Sequence, residues 1–204
     1  MNNQRKVFSR REILPTLFIL ILAVSSFGQT LSERADGFNN KRAFHKKNYK
    51  VEYDKFKERT RVHFSNIRIE EGKKSKSGAG GILLGVTFFF DGEILKTNVD
   101  EYFLIFQAVC SNWCFLDNHI LRFIADDKKL NLGEGEHSGK VGNIGLLRYE
   151  VGTKEAIVYK INRNDLTVIA DAKISEFQLG NYEAALNEKH KQMLKNMLDL
   201  GTFK

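Results

Sequence analysis

Apolar and polar residues alternate along the chain from Tyr49 onward, and this period of two limits the possible folds more than any other feature of the sequence. The first apolar pairs that share a face are Val51 with Tyr53, Val62 with Phe64, and Ile67 with Ile69. Successive side chains of an extended chain point to opposite sides, so one side can be buried while the other stays in water. The pattern predicts half-buried β-strands.

Further strands are predicted beyond these. The segment 82–90 is apolar almost throughout, which is typical of a central strand covered on both faces. Shorter strands are predicted at 102–109, 120–125, 130–132 and 174–179, with a turn at 126–129. The segments 144–151 and 155–161 are interpreted as two strands joined by a hairpin at Gly152, Thr153 and Lys154.

Two helices follow most of the strands. Asn164 is the predicted cap of a short helix over 165–171. A C-terminal helix is predicted from about Asn187, with an apolar stripe of Leu186, His190, Met193, Leu194, Met197 and Leu200. Because the strands do not alternate with long helices, we expect a mainly β (α+β) fold. This is an antiparallel sheet or β-sandwich with a short helix and a C-terminal helix packed on it.

The first 28 residues have the three parts of an export signal. A basic stretch ends at Arg11, an apolar run of about 12 residues follows, and small residues stand at Ser26 and Gly28. The run is shorter than the roughly 20 residues that a membrane-spanning helix needs. We therefore expect export to the periplasm or the extracellular space, with an uncleaved membrane anchor as the alternative. General secretory and twin-arginine export both remain open.

The positive charge of the chain is concentrated near its N-terminus. Net charge is +7 at pH 7, yet residues 51–204 carry equal numbers of basic and acidic side chains. This distribution argues against a nucleic-acid-binding fold. Residues 29–48 are basic and aperiodic and are interpreted as a disordered tether, which leaves 49–204 as a single β-rich domain.

Several short motifs resemble those of a known group of proteins. They are Tyr53-Asp54-Lys55-Phe56 with Thr60 and Val62, Trp113-x-Phe115-Leu116, Phe123-x-x-Asp126, Gly133 with His137, and Glu176-Phe177-x-Leu179-Gly180. Over about residues 49–200 the chain resembles a family of uncharacterised secreted bacterial β-rich domains. The resemblance implies a domain that begins near residue 49, and it implies no activity.

Cys110 and Cys114 are the two cysteines of the chain. The C-x3-C spacing is neither a C-x-x-C redox motif nor half of a zinc site, because the sequence offers no second pair of ligands beside it. Residues four apart in a strand are about 13 Å apart, beyond the reach of a disulfide. A bond between the two therefore requires residues 111–113 to turn, and the spacing alone leaves the bond open.

The segment 133–140 is rich in glycine and acidic residues. It fails the dinucleotide and P-loop patterns, because Ser138 and Glu134 stand where those patterns need glycine. Asp126, Glu134, Glu136 and His137 form a candidate loop site for a hard cation. The interpretation preferred here is a solvated glycine-rich hairpin loop, with no specific metal and no cofactor.

The remaining candidate for a binding residue is Trp113, the single tryptophan, which is interpreted as a core residue with a ligand groove as the alternative. The chain has no G-x-S-x-G elbow. We therefore expect an exported, non-catalytic binding or structural module of the bacterial envelope, with an unknown protein or small ligand as partner. The alternative is a hydrolase-type enzyme whose active-site residues are scattered along the sequence.

Overall fold

Strands and three helices account for most of the residues that the structure describes. The computed structural model describes residues 30–39, 49–69, 79–143 and 151–203. The strands are β1 (Tyr49–Asp54), β2 (Arg59–Ile69), β3 (Ala79–Asp91), β4 (Glu101–Cys110), β5 (Ile120–Ala125), β6 (Lys128–Glu134), β7 (Glu136–Asn143), β8 (Val151–Asn162), β9 (Ser175–Leu179) and β10 (Tyr182–Ala185). The helices are α1 (Leu31–Asn39), α2 (Arg163–Asp171) and α3 (Glu188–Leu200).

Residues 31–203 form one compact unit. The export signal predicted over 1–28 lies outside the described residues, and so do residues 40–48 of the predicted tether. None of the described helices has the length and apolar character needed to cross a membrane.

The strands form two antiparallel sheets. The larger sheet has the order β1-β2-β3-β4-β8-β7, and the smaller sheet has the order β10-β9-β5-β6. Every strand pair is antiparallel. The mainly β fold with two sheets, a short helix and a C-terminal helix confirms the fold class predicted from the alternation.

The two sheets meet through aromatic side chains. Phe106 of β4 contacts Phe177 of β9, with ring centroids 5.3 Å apart, and Phe177 in turn contacts Phe123 of β5 at 5.7 Å. Along β4 the buried residues alternate with partly exposed ones, as the period of two requires. We call the buried side of the larger sheet its inner face and the opposite side its outer face.

Helix α3 covers another part of the larger sheet. His190 Nε2 donates to the main-chain oxygen of Arg68 in β2 at 3.0 Å, and the Asn196 amide donates to the Tyr49 hydroxyl of β1 at 2.9 Å. Asn187 caps the helix. Its side-chain Oδ1 accepts from the main-chain N–H of His190 at 3.1 Å, and His190 Nδ1 accepts from the main-chain N–H of Asn187 at 3.1 Å. The predicted apolar stripe is buried, as expected from its helical spacing.

Several local expectations are wrong. Within the predicted tether, residues 31–39 form helix α1, because Ala35 is 2% exposed in the core and Arg34 pairs with Asp199 of α3 at 3.2 Å. The cap of α2 is Asn162 rather than Asn164, since the Asn162 side chain accepts from the amide of Asp165. Strand β10 was not expected.

Strand β8 is longer than predicted. Residues 152–154 lie inside it and pair with β7, so they do not form a hairpin turn. Residues 144–150, which were expected to form a strand, lie outside the described residues.

The segment 133–140 is not a loop. It forms the end of β6 and the start of β7, and only Gly135 lies between the two strands, which belong to different sheets. A Cβ at Gly135 would lie 2.7 Å from Ile157 Cγ2 and 2.8 Å from Tyr159 Cε1. The glycine is needed because the chain crosses between the sheets in direct contact with β8.

We expect Leu194→Ala to lower the free energy of unfolding by about 2–5 kcal/mol, because Leu194 is buried in the interface of α3 and truncation leaves a cavity. Lys189→Ala, on the exposed side of the same helix, is the matched control and should change stability by no more than about 0.5 kcal/mol. Urea denaturation followed by circular dichroism measures both. Equal midpoints for Leu194→Ala and the wild type would show that α3 does not close the core.

Candidate functional site

A cleft of about 400 Å³ opens on the outer face of the larger sheet. It extends across the four adjacent strands β3, β4, β8 and β7. Its lining residues are Leu83, Gln107, Ala108, Val109, Ser138, Gly139, Lys140, Lys154, Glu155 and Ala156. Clefts of this size hold small organic molecules.

The cleft lies where the outer face of β3 is incompletely covered. The sequence predicts burial on both faces of this strand, and the structure confirms this only in part. Ile82 and Leu84 are buried on the inner face and Thr87 is buried on the outer face, whereas Leu83 and Phe89 on the outer face keep partial exposure. The smaller sheet and α3 contact the inner face, so apolar side chains remain accessible on the outer one.

The strand register places the lining residues in two rows. Leu83, Gln107, Ala156 and Ser138 are consecutive cross-strand partners and form the first row. Val109, Lys154 and Lys140 form the second row in the same way. Each row thus combines an apolar side chain with groups that can donate hydrogen bonds.

Gln107 presents a donor to the cleft. Its Oε1 accepts a hydrogen bond of 2.6 Å from the amide of Asn66, a residue at the bulge of β2. In the described ranges no acceptor pairs with the NH2 group of Gln107, so this group can bind an additional acceptor.

Lys140 and Lys154 are direct cross-strand partners, and both are exposed. Neither forms an ion pair with any carboxylate of the described residues. Two like charges placed directly opposite each other destabilise a sheet. An anion between the two ammonium groups would relieve that repulsion.

Glu155 borders the cleft, but its carboxylate lies on the inner side of β8 and is 0% exposed. Its Oε1 accepts from the amide of Cys114 at 2.6 Å, and its Oε2 accepts from the amide of Phe115 at 3.1 Å and from His137 Nε2 at 2.9 Å. These three hydrogen bonds compensate for the burial of a charged group. The carboxylate therefore does not face a ligand in the cleft.

The structure joins Cys110 and Cys114 by a disulfide, with 6.3 Å between their Cα atoms. The chain leaves the extended conformation after Cys110, and the Thr153 hydroxyl holds the turn by donating to the main-chain oxygen of Asn112 at 2.9 Å. This turn brings together two residues that would be too far apart in a strand.

Trp113 is 40% exposed, so the expectation of a core tryptophan is wrong. Its ring lies against Gly139 of β7, where any Cβ would overlap it, and its centroid is 6.1 Å from that of His137. His137 also stacks on His119 at 5.5 Å. Trp113 is not among the lining residues of the cleft. It packs on the opposite side of β7, which is one of the four strands that form the cleft.

The candidate cation residues are not brought together as a group. The carboxylate of Asp126, at the β5–β6 turn, accepts from the amides of Ile174 at 2.9 Å and Lys173 at 3.2 Å, and these bonds lower the pKa of Asp126. Glu134 lies at the far end of the same hairpin. Glu136 is the first residue of β7. The residue after it, His137, bonds to Glu155. Asp126 thus fastens the turn to the chain before β9.

The sequence interpretation missed Lys140, Lys154 and Glu155. One signal was available for Glu155, which stands in phase with the buried Ile157, Tyr159 and Ile161 and therefore places a charge on the inner side of a strand. The partners of Glu155 are distant in sequence, and no local pattern indicates them.

The chain matches no known family model, no curated protein and no solved structure. The family resemblance therefore receives no support from these comparisons, and the site has to be interpreted from its own geometry.

We expect Glu155→Gln to lower the free energy of unfolding by about 1–3 kcal/mol. The amide NH2 of glutamine would face a buried main-chain N–H that needs an acceptor. Glu134→Gln, at an exposed position of β6, is the matched control and should leave stability nearly unchanged. Thermal unfolding of both variants measures the difference, and equal melting temperatures would contradict the structural role given to Glu155.

Proposed function

We propose that the protein is an exported, non-catalytic binding module whose cleft on the outer face holds a small organic anion with an apolar part. One observation carries the proposal: two unpaired lysines, Lys140 and Lys154, stand opposite each other beside apolar side chains in a cleft of ligand size. The proposal commits to a carboxylate as the anionic group.

The cleft matches such a ligand in both charge and polarity. Lys140, Lys154 and the NH2 group of Gln107 supply positive charge and donors for a carboxylate. Leu83 and Val109 supply an apolar surface for the rest of the molecule. Glu155 is turned away, so the ligand meets no carboxylate among the lining side chains.

The alternative of a hydrolase requires several titratable side chains that converge on one accessible pocket. The cleft has two lysines and no histidine or aspartate among its lining residues. The Glu155 carboxylate is 0% exposed and already accepts three hydrogen bonds, one of them from the partly buried His137. This arrangement favours binding over catalysis.

The proposed export rests on the N-terminal signal pattern. The disulfide supports it, because such bonds persist mainly in oxidising compartments. We therefore propose the periplasm or the extracellular space as the place where the ligand is met.

Hexanoate tests the proposed ligand class, with 1-hexanol as its uncharged counterpart. We expect hexanoate to bind with one site per chain, and we expect hexanol to bind more weakly because it lacks the anionic group. Lys154→Gln should raise the dissociation constant for hexanoate about fivefold, which corresponds to about 1 kcal/mol. Isothermal titration calorimetry measures these affinities.

Lys160→Gln is the matched control. Lys160 lies on the same strand and face as Lys154, but it pairs with Glu101 outside the cleft. Both substitutions remove one positive charge, so an effect of net charge alone would appear equally in both variants. Equal affinities of the two variants, or equal binding of hexanoate and hexanol, would refute the proposal.

Lys140→Glu should stabilise the unliganded protein while removing hexanoate binding. A glutamate opposite Lys154 replaces a repulsive cross-strand pair with an attractive one, for a gain of about 0.2–1 kcal/mol. A higher melting temperature together with lost binding is the expected result, because residues kept for function are often not optimal for stability. A lower melting temperature would show that Lys140 stabilises the fold instead.

A further inference from the structure

We propose that reduction of the Cys110–Cys114 disulfide by a dithiol opens a zinc site made of both cysteine thiolates, the Glu155 carboxylate and the His137 imidazole. The site lies on the inner side of β8, opposite the cleft, and the proposal is independent of the ligand proposed for the cleft. The two cysteines alone offer only two zinc ligands. The fold adds Glu155 from β8, beside the sulfur atoms, and His137 from β7, beside Glu155.

Three of the four ligand groups lie close together, and the fourth, His137, contacts one of them. The two sulfur atoms and a carboxylate oxygen of Glu155 lie within 4.8 Å of one another. His137 Nε2 is 2.9 Å from Glu155 Oε2. A tetrahedral zinc ion with bonds of about 2.0–2.3 Å separates its ligand atoms by roughly 3.3–3.8 Å. Once the sulfurs are no longer bonded to each other, the cysteine and Glu155 side chains need small movements, and the His137 ring, which lies outside the 4.8 Å group, has to turn toward the sulfur atoms.

The donor set favours zinc over a hard cation. Thiolates and imidazole are typical zinc ligands, whereas calcium and magnesium prefer oxygen ligands. A metal ion also offsets the negative charges that two thiolates and a buried carboxylate would place side by side. The ring of His119, stacked on His137, and the amides of Cys114 and Phe115 hold the ligands from outside.

The exposure of the two cysteines determines which sulfur atom the reductant attacks first. Cys114 is partly exposed whereas Cys110 is buried, so an incoming thiolate attacks the sulfur of Cys114 and the sulfur of Cys110 leaves. The second thiol of the reductant then displaces Cys114 and closes its own disulfide. Two electrons and two protons pass from the dithiol to the cysteines. Zinc binding releases those two protons, and the Nε2 hydrogen of His137 moves to Nδ1 so that Nε2 can bind the metal.

The first test uses the wild-type protein alone. After treatment with dithiothreitol and its removal under anaerobic conditions, we expect one zinc ion per chain after gel filtration, measured by elemental analysis. The oxidised protein should retain less than a tenth of this amount. Cobalt(II) added to the reduced protein should give the visible bands of a tetrahedral site and a thiolate charge-transfer band. Equal zinc retention by the reduced and oxidised proteins would overturn the proposal, and so would no retention by either.

Variants then assign the ligands. In the reduced state His137→Gln should weaken zinc binding at least tenfold, as expected for a lost ligand. His119→Gln is the matched control, because the His119 ring stacks on that of His137 but its Nδ1 donates to the main-chain oxygen of Phe115, whereas His137 Nε2 contacts Glu155. Since Glu155→Gln is expected to destabilise the fold, the variant used at that position is Glu155→Asp, with circular dichroism as a check of folding. Unchanged zinc affinity in His137→Gln would exclude the four-ligand site.

Discussion

The buried carboxylate of Glu155 holds together the end of the protein that carries the cleft. It binds the main chain at residues 114 and 115 and the side chain of His137, so it joins the turn after β4 to β7 and β8. Because a charge without partners is costly to bury, all three hydrogen bonds have to form together. The disulfide and the Thr153 hydroxyl fix the same turn from its other side. The outer face of these strands is the wall of the cleft.

Because side chains alternate along β8, one face of the strand packs in the core and the other borders the cleft. Residues in the phase of Glu155 and Ile157 are buried and stabilise the contact between the sheets. Residues in the other phase face outward, and two of them, Lys154 and Ala156, line the cleft. The inner face can therefore be rigid while the outer face carries side chains that reduce stability, such as the opposed lysines.

The fold class, most strands and the C-terminal helix could be predicted from the sequence, because alternation and helical spacing are local signals. Errors arose where long-range contacts decide the structure. Helix α1 is stabilised by Ala35, which is buried in the core, and by Arg34, which pairs with α3. A glycine is needed at position 135 because the chain there contacts β8 closely. The cleft could not be predicted, because Lys140 and Lys154 are neighbours only through strand pairing.

The location of bound hexanoate on the protein shows whether the cleft is the binding surface. A ¹H–¹⁵N NMR titration reports the response of each main-chain amide. We expect the largest shifts at residues 107–109, 138–140 and 154–156, with small shifts in α3 and the smaller sheet. Shifts that centre on α3 or the smaller sheet, or that are absent from the strands of the cleft, would contradict the assignment of the outer face as the binding surface.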